Sequence, residues 1–190
     1  MNFEVEGEEH GVLKLKLEDG NDAVANSLRR AMVSRVETLA IKELEIQKNE
    51  SGLFDEVLAN RMGQVPWTIP KNVDGEDEVH IAAKKEGPGK LLAEDIQAGN
   101  DEAEPVNPDT LLVELKEGQA VELEGTAVLN TGRKHAKHQG GTVGYEKLGD
   151  GEYMFSVEST SGYGNRELVE EAIQTIQEDL DEFEEAVEEL

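Results

Sequence analysis

The sequence predicts an α+β fold, and three observations along its 190 residues support that prediction. Apolar and polar residues alternate near the beginning, short alternating runs fill the middle, and apolar residues recur at helical spacing near the end. Alternation is typical of half-buried strands, whereas recurrence every three or four residues is typical of an amphipathic helix. The chain therefore combines strands at its beginning and in its middle with helices near both ends.

The first alternating run predicts a strand followed by a helix. Its apolar face consists of Leu13, Leu15 and Leu17. The run stops at Asp19-Gly20, and Asn21 or Asp22 can then cap a helix. The apolar positions of that helix are Val24, Leu28, Ala31 and Met32.

The middle of the chain is predicted to be mostly β with long loops. Strand-like runs occupy residues 40–46, 79–83, 111–115 and 120–129, and Gly, Pro, Asn and Asp clusters separate them. Gly87-Pro88-Gly89 and the acidic stretch 99–108 are expected to be loops, since the two prolines of the second would interrupt a central strand.

A last strand over residues 153–158 precedes the turn Gly162-Tyr163-Gly164 and a helix that Asn165 can cap. The turn lacks the third glycine of a dinucleotide motif and a P-loop lysine, so phosphate binding is not expected there. The apolar stripe of the helix is Leu168, Ala172, Ile173, Ile176, Leu180, Phe183, Val187 and Leu190.

This last helix is too long for the domain that would carry it. About 25 residues span about 38 Å, more than the roughly 30 Å diameter of a small domain. Leaving half of the apolar stripe in water would cost several kcal/mol, at about 1.5–3 kcal/mol for each large side chain. We therefore expect a second chain to cover the stripe. The alternative is that the helix folds back across two domains of its own chain.

Composition excludes several classes of function. The chain has no cysteine, which excludes disulfides, thiolate metal sites, iron–sulfur clusters and a cysteine nucleophile. Its 43 acidic and 18 basic residues give a net charge of −25, which repels a phosphate backbone, so little or no direct DNA contact is expected. No signal peptide or membrane-spanning stretch is apparent, and a cytoplasmic protein is expected.

Three ordered motifs resemble the alpha-like subunits of multisubunit RNA polymerases. Residues 26–34 read Asn-Ser-Leu-Arg-Arg-Ala-Met-Val-Ser and are followed by Thr38-Leu39-Ala40-Ile41, similar to the family's Leu-Arg-Arg helix and Thr-x-Ala-Ile strand. Residues 54–66 resemble the family's Asp-Glu-x-Leu-Ala-His-Arg-Leu-Gly-x-Ile-Pro segment, with Asn60 in place of its His. Residues 132–137 resemble its Gly-Lys-Glu-His-Ala-Lys, with Lys134 in place of its Glu. The second motif favours the archaeal D-type member of the family over bacterial alpha.

The resemblance implies a discontinuous dimerisation domain, 1–41 with 152–190, formed by an antiparallel sheet with helices, and a β-rich insert domain over 42–151. It also implies a non-catalytic subunit that pairs with subunit L, recruits the small zinc-binding subunits N and P, and supports the large catalytic subunits. Many archaeal D-type chains carry an iron–sulfur domain, and the cysteine-free sequence predicts that this chain lacks the cluster.

The resemblance assigns two surfaces. Arg29 and Arg30 would face the second-largest catalytic subunit. The residues expected to contact the large subunits are Arg29, Arg30, Asp55, Glu56, Arg61, His135 and Lys137. The dimer interface is expected to contain Leu28, Met32, Ile173, Ile176, Leu180, Phe183 and Val187.

Catalytic and metal-binding interpretations of these residues are weaker. Asp55 and Glu56 lie beside no base or nucleophile at a defined spacing, and adjacent carboxylates are common in so acidic a chain. His135 and His138 have no third ligand nearby, and Lys134 and Lys137 would repel a cation. We expect neither a catalytic nor a metal site. A free-standing acidic dimeric adaptor unrelated to transcription is the alternative to a polymerase subunit.

The interleaving of acidic and apolar residues indicates a folded protein from a very salty cytoplasm. The melting temperature should rise steeply with KCl, because at about 1 M salt the Debye length falls to roughly 3 Å and repulsion between carboxylates is mostly screened. Thermal unfolding between about 0.1 and 2 M KCl measures this effect. A flat melting temperature over that range would contradict the interpretation.

Overall fold

The structure, a computed structural model, describes residues 1–73, 75 and 77–188 and divides into two compact units. The first unit joins Met1–Glu37 to Thr131–Leu190, and the second is Thr38–Asn130. The helices and strands of the described chain are, in order, β1 (Asn2–Glu9), β2 (Val12–Glu18), α1 (Asp22–Ser34), β3 (Glu37–Asn49), α2 (Asp55–Gly63), β4 (Glu78–Glu86), β5 (Gly89–Leu92), β6 (Gln97–Ala98), β7 (Leu111–Leu115), β8 (Ala120–Thr131), β9 (Gly141–Gly149), β10 (Glu152–Ser159) and α3 (Asn165–Glu188). The predicted α+β class is confirmed.

The first unit is built on an antiparallel sheet of order β1-β2-β10-β9. Its buried cross-strand pairs are Leu13–Val157, Leu15–Phe155 and Leu17–Tyr153. Directly opposed apolar side chains on one face stabilise neighbouring strands and fix their register. The apolar face predicted from residues 13, 15 and 17 is therefore confirmed, and the last strand of the chain completes it.

Helix α1 begins where the sequence predicts. The Oδ1 atom of Asn21 accepts a hydrogen bond of 2.9 Å from the backbone N–H of Val24, which satisfies one of the unpaired donors at the helix start. The residues that α1 buries are Ala25, Leu28, Ala31 and Met32. They join the side chains of β2 and β10 in one core.

The second unit contains a sheet of order β3-β8-β4-β6, the two-stranded sheet β5-β7, and α2. All four predicted strands of the middle segment are present, and β7 has the predicted bounds. Trp67 is among the largest fully buried side chains of this core. Strands β1, β5, β6 and β9 and helix α2 were not predicted from the sequence.

The boundaries between the two units differ from those of the predicted domains. The prediction placed 1–41 with 152–190 in one domain and 42–151 in the other. Strand β9 pairs with β10 along its whole length, with Gly141 opposite Ser159 at one end and Gly149 opposite Glu152 at the other. Residues 131–151 therefore belong to the first unit. Leu39 and Ile41, at the other boundary, pack in the core of the second unit. Strand pairing and side-chain burial thus move both boundaries.

The cap predicted for α3 is wrong in its detail. Asn165 lies within the helix, and its Oδ1 atom accepts a 2.7 Å hydrogen bond from the N–H of Ser159 in β10. Its Nδ2 atom donates to a carboxylate oxygen of Glu8 at 2.7 Å and to the carbonyl of Gly11 at 2.9 Å. Asn165 therefore fastens the start of α3 to the β1–β2 turn and to β10.

The segment before β9 packs tightly against the end of α1. The N–H of Gly140 donates to the carbonyl of Val33 at 3.3 Å. A Cβ atom at position 140 would overlap the carbonyl oxygen of Met32 and side-chain carbons of Val36 and Leu168. The absence of a side chain at this position lets the segment approach the helix.

Gly140→Ala should lower the free energy of unfolding by about 1–3 kcal/mol, because the added methyl group overpacks a core that includes fixed backbone. The matched control is Gly144→Ala in β9, where a Cβ atom would have nothing within 4 Å. Chemical denaturation followed by far-ultraviolet circular dichroism measures both variants. Equal stability of the two would contradict this account of the packing.

Candidate interaction surfaces

The apolar stripe of α3 divides into a buried half and an exposed half. Leu168, Val169 and Ala172 are buried in the core of the first unit, and Ile173 and Ile176 are half-buried against it. This proximal part of the helix packs on α1, β2 and β10. The first unit therefore buries the stripe only as far as residue 176.

The distal part of the stripe lies on the surface. Leu180, Phe183 and Val187 have exposed fractions of 61%, 68% and 50%. We call Ile173, Ile176, Leu180, Phe183 and Val187 the α3 seam. Leu190, the last predicted position of the stripe, lies outside the described residues. Monomeric proteins rarely leave a continuous apolar row exposed unless it contacts something.

Two residues predicted for the dimer interface do not reach the surface. Leu28 and Met32 are 2% and 0% exposed because their side chains fill the core between α1 and the sheet. They have no surface to offer a partner, so their assignment to the interface is corrected. Their helical spacing had identified an apolar face without distinguishing an internal core from an external contact.

The two consecutive arginines of α1 differ in their surroundings. Arg29 is half-buried, and its guanidinium donates a 3.2 Å hydrogen bond to the side-chain carbonyl of Asn26, one turn earlier. Arg30 is exposed, and its backbone carbonyl accepts a 3.0 Å hydrogen bond from the hydroxyl of Ser34. The guanidinium of Arg30 therefore extends from the last turns of the helix into solvent.

The structure brings the first and third motifs together. The N–H of Arg133 donates to the carbonyl of Ser34 at 3.2 Å, so the segment that carries His135 and Lys137 lies on the end of α1. His135 is exposed, and its Nδ1 atom accepts a 3.2 Å hydrogen bond from the N–H of Lys137. His138, in contrast, is buried. The two histidines face different surroundings, although they lie only three residues apart.

The prediction missed Arg35, the residue that ends α1. Its guanidinium forms an ion pair with the carboxylate of Asp179 on α3. Burial lowers the pKa of Arg35, and the positive charges of Arg133 and Arg30 lower it further. The sequence signal that could have identified this position is that three of the six arginines, at positions 29, 30 and 35, fall close together in the chain.

The second motif lies in the second unit, on α2. A carboxylate oxygen of Asp55 accepts a 2.7 Å hydrogen bond from the side chain of Asn49. Arg61 donates to the carbonyl of Leu112 in β7 at 2.8 Å, which ties α2 to that strand. Glu56 is exposed in the first turn of α2. Arg61 thus has an internal structural contact, and its contact with a large subunit stays a prediction.

The described residues contain neither a candidate metal site nor a candidate membrane span. Within 1–73, 75 and 77–188, no three His, Cys, Asp or Glu side chains are grouped so that they could hold a metal ion. Nor does any helix in this part of the chain have the length and apolar character needed to cross a membrane.

Comparison with known proteins identifies the family. Residues 36–145 match the RNA polymerase Rpb3/RpoA insert domain. The chain is 43% identical over 127 residues to DNA-directed RNA polymerase subunit Rpo3 of Natronomonas pharaonis, covering 66% of this chain and 51% of the relative. It is 37% identical over 131 residues to subunit Rpo3 of Thermococcus kodakarensis, covering 65% and 51%. The corresponding subunit of Methanocaldococcus jannaschii is 31% identical over 159 residues, covering 84% and 82%.

The chain spans about half the length of the first two of these relatives and most of the third. Halophilic archaea are among the organisms that carry these relatives. The family match includes the second and third motifs completely, so the resemblance drawn from residues 26–41, 54–66 and 132–137 is confirmed. The chain belongs to the Rpb3/RpoA family of RNA polymerase subunits, with the archaeal Rpo3 (D-type) proteins as its relatives.

Proposed function

We propose that this chain is a non-catalytic subunit of an archaeal DNA-dependent RNA polymerase, in which it pairs with the smaller subunit L through the α3 seam. The single observation that supports this proposal most is the exposure of Leu180, Phe183 and Val187 on a helix whose proximal half is firmly packed. A helix anchored in this way presents a preformed apolar surface, which lowers the entropic cost of association. Family membership supplies the complex in which that surface would be used.

The exposed residues of the α3 seam can supply only part of the free energy of binding. Burying the exposed parts of Leu180, Phe183 and Val187 would contribute about 3–5 kcal/mol, at about 1.5–3 kcal/mol for each fully buried side chain. A micromolar complex requires about 8 kcal/mol. Subunit L must therefore also contact neighbouring surface, for which the half-buried Ile173 and Ile176 are available.

The remaining assigned residues would receive the large subunits. The exposed guanidinium of Arg30 and the adjoining segment with His135 and Lys137 supply one surface, and α2 with Asp55, Glu56 and Arg61 supplies another on the second unit. The heterodimer would also recruit the small zinc-binding subunits N and P. The chain would thus be an assembly platform in the cytoplasm, and the nucleotidyl transfer chemistry would belong to the large subunits.

The proposal assigns no cofactor to this chain and little or no direct contact with DNA. A chain without cysteine has no thiolate to ligate an iron–sulfur cluster. The net charge of −25 would repel the phosphate backbone over most of the surface.

A free-standing acidic dimeric adaptor remains the second candidate, because the exposed seam alone is equally compatible with it. Isolation of the tagged chain from native extract in concentrated KCl separates the two functions. The polymerase proposal requires the two largest polymerase subunits to co-purify, whereas recovery of only a small partner would favour the adaptor.

Leu180→Glu should abolish association with co-expressed subunit L and leave the isolated chain folded. The side chain is mostly exposed, so a charge there changes stability little, but it would be buried without a partner in the complex. Size-exclusion chromatography in high salt measures association, and circular dichroism measures folding. The matched control is Leu148→Glu, the same substitution at an exposed leucine in β9.

Two outcomes would contradict the seam assignment. Unchanged association of Leu180→Glu would show that subunit L binds elsewhere. Marked destabilisation of the isolated variant, without such an effect in Leu148→Glu, would favour the alternative in which α3 folds back on its own chain.

Arg30→Ala should weaken docking of the large subunit and leave the pairing with subunit L intact. Losing a charge-assisted hydrogen bond would reduce affinity about tenfold or more, at about 1.5–3 kcal/mol for a bond to a charged group. Quantitative mass spectrometry of the complex recovered with the tagged chain measures the ratio of large subunit to tagged chain and the ratio of subunit L to tagged chain. If the large subunits are recovered at the wild-type ratio, Arg30 does not contribute to docking.

A further inference from the structure

The end of α1 concentrates positive charge on a strongly acidic chain. Arg30 lies one turn before Ser34, and Ser34 directly precedes Arg35. The backbone N–H of Arg133 donates to the carbonyl of Ser34 at 3.2 Å, which places Arg133 at the same turn. Half of the six arginines in the chain are therefore gathered here, and we call Arg30, Arg35 and Arg133 the arginine cluster.

The charges of Arg30 and Arg133 act on the guanidinium of Arg35. Burial is the main cause of the lowered pKa of Arg35, and the charges of Arg133 and Arg30 lower it further. Such repulsion opposes the gathering of like charges unless anions compensate it. Guanidinium groups bind carboxylates in a bidentate geometry, so clusters of arginine are typical of surfaces that receive anions.

One anion is supplied by the chain itself. The carboxylate of Asp179 on α3 forms an ion pair with Arg35. Within the part of the chain that the structure describes, the side chains of Arg30 and Arg133 form no ion pair. The carboxylate of Asp179 thus pairs with one of the three guanidinium groups, and the cluster keeps an excess of positive charge on a protein of net charge −25.

We infer that the arginine cluster takes two carboxylates, Asp179 from its own α3 and a second one from an acidic segment of a partner protein. This inference rests on the proposed function and deepens the docking role of Arg30. It adds Arg133 to the docking surface and makes Asp179 an internal counter-charge that neutralises part of the cluster before the partner arrives.

The surroundings favour a protein carboxylate over a nucleic acid. Glu178 and Asp181 flank Asp179 on α3, and the distal helix has no basic residue among residues 177–188. A phosphate backbone carries one charge at each step and would run beside these carboxylates. A single side-chain carboxylate can approach Arg30 and Arg133 without extending along α3.

The position of Asp179 also links the cluster to the α3 seam. Asp179 precedes Leu180, the first of the three exposed seam residues. A partner that covers the seam would shield the Arg35–Asp179 pair from water and strengthen it. The two docking surfaces therefore meet at this ion pair.

The test compares three variants of the tagged chain, purified from cells with the polymerase assembled around it. Arg133→Gln should reduce the salt-resistant recovery of the large subunits about tenfold, because a charge-assisted contact is lost. Asp179→Asn should extend recovery to higher KCl, because it leaves the partner carboxylate without an internal competitor. Arg166→Gln, at an exposed arginine near the start of α3, is the matched control and should behave as wild type.

A charge exchange identifies the ligand. Because the chain has no cysteine, Lys134→Cys introduces a unique thiol beside Arg133 for a photo-activated cross-linker. Mapping the adduct identifies the nearest partner carboxylate. Arg133→Glu and the reversal of that carboxylate to arginine should each reduce recovery, and the two together should restore it.

Two results of the recovery measurement would overturn the inference: Arg133→Gln recovers the large subunits as well as Arg166→Gln does, or Asp179→Asn recovers them as poorly as Arg133→Gln does. A cross-link to nucleic acid, or a charge exchange that does not restore recovery, would also overturn it. They differ from a failure of the proposed function, in which the wild-type chain itself recovers no large polymerase subunit. In that case the cross-linking experiment still tests the inference. A cross-linked carboxylate whose charge exchange with Arg133 restores binding supports it, and the lack of such a carboxylate contradicts it.

Discussion

The packing of α1 and the proximal half of α3 on the face of β2 and β10 is the interaction on which the rest of the structure depends. It joins segments from opposite ends of the chain: the hydroxyl of Tyr153 donates a 2.6 Å hydrogen bond to a carboxylate oxygen of Asp22, 131 residues away. This contact lowers the pKa of Asp22, as does the neighbouring Lys147. Both interaction surfaces on the first unit form only once these distant segments have met.

Charge is distributed unevenly over this fold. Several lysines pair with carboxylates on exposed strands, as Lys84 does with Glu122 at 2.9 Å and Lys42 does with Glu78 at 3.3 Å. Exposed pairs of this kind contribute at most about 1 kcal/mol and are screened by salt. The arginine cluster differs because it gathers three cations, and Asp179 pairs with only one of them, Arg35. In these two pairs, lysine relieves repulsion between acids at exposed positions.

Local patterns predicted six of the ten strands and helices α1 and α3, because alternation and helical spacing act within a few residues. Helix α2 was missed because nine residues with two buried positions, Leu58 and Met62, give a weak period. Strand β9 was missed because its glycines and exposed residues interrupt the alternation. The burial of Leu28 and Met32, and the meeting of Arg133 with the end of α1, depend on distant segments that no local pattern specifies.

The order of the distal part of α3 itself depends on its surroundings. The helix has 24 residues and is about 36 Å long, of which about 18 Å lies beyond residue 176. Like charges four residues apart destabilise a helix, and residues 177–188 contain three such pairs, Glu178–Glu182, Asp181–Glu185 and Glu184–Glu188. Salt weakens that repulsion, and in the proposed complex a partner on the α3 seam would hold the helix in place. Because Asn165 fastens the start of α3 to β10 and the proximal half of the helix packs in the core, the apolar seam points away from its own core whenever the helix is formed.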